Sequence, residues 1–207
     1  MATRVLMPTS AVSSGGNTPW GNVSSIYDTS PSTAKVVLDN SKDVADTLYG
    51  GFESFQLDKS ATITGLEVTV SRRQSGNFDV VDKKAVFLVG GVIVGQNKAK
   101  PDQWPSTLQP SVYGGEDDLW GLEVGQLFDE NNNFKAFQFG YGSEPTSGKS
   151  NPIELHIQYM QVTVFYNKGG FRFRQTVEFK PTQTYVRVNG SWILSRDHFV
   201  FTNGAWK

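Results

Sequence analysis

The chain has 207 residues, 38% hydrophobic and 19% charged, with a formal net charge of −1 and no cysteine. There is no basic excess to meet a phosphate backbone and no apolar run near the ~20 residues of a membrane span, which argues against nucleic acid and membrane as partners. The absence of cysteine excludes disulfides and thiolate chemistry and is compatible with assembly in a reducing cytoplasm. The opening MATRVLMPTS has no apolar core of signal-peptide length. The length fits one large β domain or one domain with a small appendage. Abundant Gly (21) and Phe (14) favours many short strands joined by turns.

Residues 1–32 cluster Ser, Thr, Gly, Pro and Asn and read as an extended N-terminal arm, with Val5 and Leu6 able to add a short edge strand. Trp20 is its one aromatic before residue 27 and is expected to pin the arm to the rest. Ala34 to Asp39 is a strand candidate. Ser41 to Tyr49 fits either a short helix or a strand, and Gly50-Gly51 would end a helix.

The run from Ala61 to Gly95 is the centre of the chain. Leu66, Val68 and Val70 alternate with Glu67, Thr69 and Ser71, the period of a strand with one buried face. Ala85 to Val89 is apolar without alternation, as in a strand covered on both faces. The turn-rich Gln74 to Asn77 between them predicts an antiparallel pair. Asn97 to Trp120 holds three prolines and reads mostly as loop, with Tyr113-Gly114-Gly115 as a turn. Phe134 to Tyr141 is a strand with Phe137, Phe139 and Tyr141 on one face. Ile153 to Tyr166 is the longest strand candidate. Its apolar parity switches near Met160-Gln161, as a β-bulge would make it do. The fold class expected is all-β: an antiparallel β-sandwich over residues 33–167, followed by short C-terminal β-hairpins over 168–207.

That C-terminal segment alternates Phe171, Phe173, Val177 and Phe179 with charged and polar residues, then repeats. TYVRVNGSW (184–192) recurs as HFVFTNGAW (198–206), each copy with an Asn-Gly suited to a type I′ hairpin turn. Two such hairpins enclose no core alone, so Phe171, Phe173, Tyr185, Trp192, Phe199 and Trp206 are candidate assembly residues.

No catalytic constellation emerges. His156 lies mid-strand with parity away from Leu155 and Ile157 and reads as a surface or interface residue. His198 stands where the other repeat has Thr184. Neither has a partner at metal-ligand spacing. Gly90 to Gly95 has phosphate-loop glycines but lacks the Lys-Ser/Thr pair. Glu116-Asp117-Asp118 is a solvated turn in the ordinary reading and a carboxylate pair or Ca²⁺ site in the functional one. Arg72-Arg73 are placed to pair with Asp79 or Glu116. Trp104, Tyr113 and Trp120, with Asp117, could hold a sugar ring or simply pack over the sandwich end. The expectation is no enzyme, no cofactor and no metal.

The order ITGLEVTVSRR, AVFLVGGVIVGQNKA, WPS and VYGGEDDLWGL resembles a jelly-roll-like β-sandwich found in structural proteins of tailed bacteriophages. The likeness covers roughly residues 15–166 and includes Trp20-Gly21-Asn22 and Leu48 to Leu57. The terminal VNGxW repeats are similar to hairpins that end many phage tail and fibre proteins. The resemblance implies a non-enzymatic virion component of fibre, tail-tip, collar or head-decoration type, made in the host cytoplasm. Its implied partners are other virion proteins, further copies of itself and, in attachment, a host-surface glycan. A free carbohydrate-binding module is the alternative.

Overall fold

The computed structural model describes residues 1–39, 42–76, 79–146 and 152–168, together with short strands between 185 and 206. Met1–Gly170 and Phe171–Lys207 are separate compact units. The first unit begins with β1 (Ala2–Leu6), β2 (Ser10–Ser14), a 3-10 helix at Val23–Tyr27, β3 (Ala34–Leu38), β4 (Thr47–Phe52) and β5 (Phe55–Gln56). It continues with β6 (Thr62–Ser75), β7 (Val80–Val89), β8 (Val92–Val94), β9 (Gln109–Gly115), β10 (Asn133–Phe134), β11 (Phe137–Pro145) and β12 (Ile153–Asn167).

Two antiparallel sheets pack as a jelly-roll-like sandwich. One runs β1-β12-β6-β9, with β3 also paired to β12; the other runs β2-β4-β11-β7-β8. Leu66, Val68 and Val70 of β6 and Leu155, Ile157 and Met160 of β12 meet Phe87 of β7 and Phe137, Phe139 and Tyr141 of β11 in one buried cluster. Burying apolar side chains at the inward positions of both sheets supplies the main driving force.

The alternation of β6 and the unbroken apolar run of β7 are as expected, but the two strands do not pair. β6 lies between β12 and β9, and β7 lies between β11 and β8. Their connection therefore leads from one sheet to the other. A turn signal specifies a reversal of direction, not which strand becomes the hydrogen-bonding neighbour.

Of the ambiguous stretch 41–49, residues 47–49 open β4 and 42–46 are turn, coil and a bridge, and Gly50-Gly51 lies inside β4 rather than ending a helix. A side chain at Gly51 would have its Cβ 2.2 Å from Ser10 Oγ, and one at Gly50 would lie 3.1 Å from Pro8. Close approach of the β2 segment explains both glycines. The extended N-terminal stretch is paired, with β1 on β12 and β2 on β4. Trp20 pins it: the indole is buried and donates to Asp46 O at 2.7 Å. Residues 109–115, read as loop and turn, form β9. Its Pro110 is tolerated because β9 pairs with β6 alone, at the sheet's edge.

The β12 bulge is real but falls at Gln158, where the register to β6 slips between Ile157 and Tyr159. That slip lets Leu155 and Ile157 share the core with Met160, Val162 and Val164. The parity of His156 is outward as read, yet the ring is buried. Thr33 Oγ1 lies 3.0 Å from Nδ1, and Arg73 Nη2 lies 3.2 Å from Nε2.

In the second unit β13 (Tyr185–Val188) pairs antiparallel with β14 (Ser191–Leu194), and β15 (Phe201–Thr202) with β16 (Ala205–Trp206). Both VNGxW-type copies are thus hairpins. Tyr185, Trp192 and Trp206 fall in these strands; Phe171, Phe173 and Phe199 lie outside the described residues.

Candidate functional site

The motif residues of the central loops converge on Asp82, inside the core. Its Oδ1 accepts from Tyr141 OH at 2.6 Å, from Trp104 Nε1 at 2.9 Å and from the Arg72 guanidinium. Its Oδ2 accepts from Tyr113 OH at 2.7 Å and Lys100 N at 3.1 Å. Arg72 Nε donates to Ser111 Oγ at 2.8 Å, and its guanidinium sits 5.2 Å from the Trp104 ring. Burial pushes the phenols of Tyr113 and Tyr141 above the ordinary range against the pull of Arg72, so both remain donors. Arg72 therefore pairs with Asp82, not with Asp79 or Glu116, and Arg73 turns to His156. The sequence signal for Asp82 was an acid at the same strand parity as the buried Val80.

This corrects the sugar-binding reading of the loop aromatics. Trp104 is 3% exposed, Tyr113 1% and Trp120 0%. Their faces are covered by protein: Trp104 stacks on Tyr141, and Trp120 meets Phe87 edge-on at 4.7 Å. Trp120 Nε1 donates to Leu66 O at 2.8 Å, a bond that Gly114 (φ +75) makes room for. Asp117 is exposed on the turn that Gly115 and Asp118 close. Asp118 pairs with Lys98 at 2.7 Å. Burial pushes the Asp118 carboxyl up, but the hydrogen bonds from Lys98 and Trp120 N–H outweigh that and hold it low. Trp104 and Tyr113 are thus brought together structurally, with Trp120 packed separately and Asp117 left at the surface.

A different surface has the shape of a binding site. Register puts two rows of side chains on the outer face of the β2-β4-β11-β7-β8 sheet. Ser10, Gly51, Gln138, Leu88 and Ile93 form one row; Val12, Tyr49, Gly140 and Val86 form the next. Gly51 and Gly140 are both buried, because the absent side chains make room for neighbours: Ser10 Oγ stands over the first and the Tyr49 ring over the second. A Cβ at Gly140 would lie 2.8 Å from Tyr49 Cε1 and 3.2 Å from Leu88 Cδ1, so the half-buried Tyr49 ring rests on Gly140.

Beside it opens a cleft of about 520 Å³. Gly51, Gly90, Gly91 and Ala136 give it small-residue walls, and Phe52, Phe137 and Leu88 contribute apolar surface. Thr9, Ser10, Glu53 and Gln138 supply hydroxyl, carboxylate and amide groups. Gly90 and Gly91 have φ of 59 and 81 in the β7–β8 turn, a conformation glycine adopts without strain. Glu53 is the only carboxylate of the lining, so the cleft does not hold the carboxylate pair of ordinary glycoside hydrolysis. Among the described residues no cluster of three or more His, Cys, Asp or Glu could hold a metal ion.

This face was missed in the sequence, but a signal was present. In FQFGYG (137–142) aromatics take the inward parity, while Gln138, Gly140 and Gly142 take the outward one. Strand glycines on a single parity mark a face where neighbouring groups approach the backbone closely.

No family model matches the chain, and no curated protein matches it. Among solved structures, a family 4 carbohydrate-binding module aligns at TM-score 0.37 and 10% identity, covering 76% of this chain and 92% of its own. The enzymatically active domain of tailspike protein 4 of bacteriophage CBA120 aligns at TM-score 0.34 and 9% identity over 80% of this chain. This chain spans 19% of that one. A family 29 carbohydrate-binding module from Piromyces equi aligns at TM-score 0.26 and 12% identity, covering 78% of this chain and 89% of its own. No helix among the described residues is long and apolar enough to cross a membrane.

Proposed function

We propose that the chain is a non-enzymatic glycan-binding β-sandwich that works through the outer-face cleft. The observation that carries this reading is the cleft itself, walled by small, apolar and polar residues, with the Tyr49 ring lying on Gly140 in the neighbouring row. A pyranose has an apolar C–H face and a rim of hydroxyls. It needs a flat aromatic or aliphatic surface under the ring, and side chains able both to donate and to accept around it. Tyr49 and Leu88 supply the first; Ser10, Thr9, Gln138 and Glu53 supply the second. The test is a broad glycan panel with the full chain, Tyr49→Ala and Gln138→Ala. Each substitution should weaken binding about tenfold or more while the thermal transition stays in place. Full binding by both variants would reject the cleft as the site.

A second proposal is compatible with the first: the chain is a structural or attachment protein of a tailed-phage particle, with residues 171–207 serving assembly. The ordered motifs from Ile63 to Gly121 and the terminal hairpin repeats support it. Immunogold labelling of particles with an antibody to the chain should mark one fixed position. Unlabelled particles would leave the free glycan-binding module.

A further inference from the structure

A second, smaller hollow of about 200 Å³ adjoins the cleft and shares Thr9, Phe52 and Glu53 with it. Its far wall is Arg4 on β1, whose guanidinium carbon lies 4.4 Å above the Phe55 ring. Phe55 is itself stacked on Phe134 at 4.3 Å, so the shelf under the guanidinium is fixed. Arg4 Nη1 donates to Gln56 O at 3.3 Å, and the β1–β12 pairing holds the Arg4 backbone opposite Val164. A guanidinium carries five N–H donors in a planar fork. One is engaged here, and stacking on Phe55 orients the plane without occupying its edge. Glu53, shared by both hollows, is not ion-paired to Arg4: the ion pairs of the described residues lie elsewhere.

We propose that the two hollows form one groove for an oligosaccharide bearing a carboxylate, the neutral ring lying in the cleft and the carboxylate meeting the fork of Arg4. The inference rests on the glycan-binding reading above and narrows it to acidic glycans of the uronic-acid type. A planar carboxylate matches the guanidinium fork with two parallel hydrogen bonds, which Lys cannot reproduce. Glu53 disfavours an anionic group in the part of the groove both hollows share, so the acidic residue is directed to the Arg4 end. It also leaves an acceptor for the hydroxyls of the neutral ring.

The experiment uses the full chain on an array of paired neutral, carboxylated and sulfated oligosaccharides, repeated with Arg4→Gln, Arg4→Lys and Tyr49→Ala. The expected result is preference for carboxylated members. Arg4→Gln should lose about tenfold or more of that binding, and Arg4→Lys should recover little of it. Tyr49→Ala should weaken neutral and acidic members alike. Arg4 is exposed on an edge strand, so an unchanged thermal transition should show the Arg4 variants folded. Carboxylated ligands bound equally by Arg4→Gln, or a wild-type preference for neutral ligands lost only in Tyr49→Ala, would overturn the Arg4 subsite and keep the cleft. Arg4-dependent binding with sulfated members equal to carboxylated ones would overturn the carboxylate assignment. No binding to any member would overturn the inference and the glycan-binding reading together.

Discussion

Asp82 shows how a single residue ties the two sheets together. It lies on β7, while Arg72 and Tyr113 reach it from β6 and β9 of the opposite sheet. A charge out of water is tolerated only when paired and fully hydrogen-bonded, and here both carboxylate oxygens are engaged. Removing one partner leaves the other uncompensated, so Asp82→Ala should cost about 3–5 kcal/mol in urea unfolding. A loss below about 1 kcal/mol would mean that water reaches Arg72. His156 gives a pH signature. Burial lowers its pKa; the hydrogen bond to the Glu154 carboxylate opposes this, and the charge of Arg73 adds to the lowering. The fold thus favours the neutral ring. Its contribution is complete above the unfolded value of about 6.5 and is lost as pH falls through that value toward the folded one. Urea midpoints should fall between pH 7.5 and 5, by less in His156→Gln. Equal slopes in the two proteins would contradict this.

At the scale of the element, the bulge and the strand glycines matter more than propensity. Gln158 is the extra residue of β12; its side chain accepts from Ser71 Oγ at 3.0 Å and donates to Ser30 O at 2.8 Å. Deleting it would remove the bulge and the parity switch together, leaving Leu155, Ile157, Met160, Val162 and Val164 in one regular alternation. Deletion of Gln158 should therefore retain a cooperative near-ultraviolet dichroism transition, as should Gln158→Ala; its loss in the deletion alone would show that the bulge itself is required. Gly114→Ala should cost about 3 kcal/mol, because the left-handed φ and the missing room at Leu66 O and Trp120 Nε1 penalise it together. A change within 0.5 kcal/mol would show that β9 shifts freely. The alternation in β6 and the inward aromatics of β11 were legible because side-chain period reports burial directly. Edge strand β9 was not, because its proline and two glycines resemble a loop until a neighbouring strand is present.

For the whole molecule, the sandwich was readable and the cleft proposed as its site was not. Trp104, Tyr113 and Trp120 attracted attention as large aromatics on a long loop, but Tyr113 lies in β9 and all three side chains are buried. The surface that remains available is marked by small residues. Gln138 comes to lie opposite Gly51, and Gly140 opposite Tyr49, only once strand order is known, and sequence separation hides that. The division into two units predicts that a chain ending at Gly170 keeps the sandwich and its thermal transition. If residues 171–207 assemble the protein, that truncation should run as a monomer in sedimentation while the full chain does not. The most direct test of the central claim is an amide NMR titration of the full chain with oligosaccharides from the panel. The glycan-binding account predicts shifts concentrated at Gly51, Gly90, Gly91 and Gln138, around the cleft. Shifts confined to the Tyr113–Leu122 region, or no shift with any glycan, would contradict it.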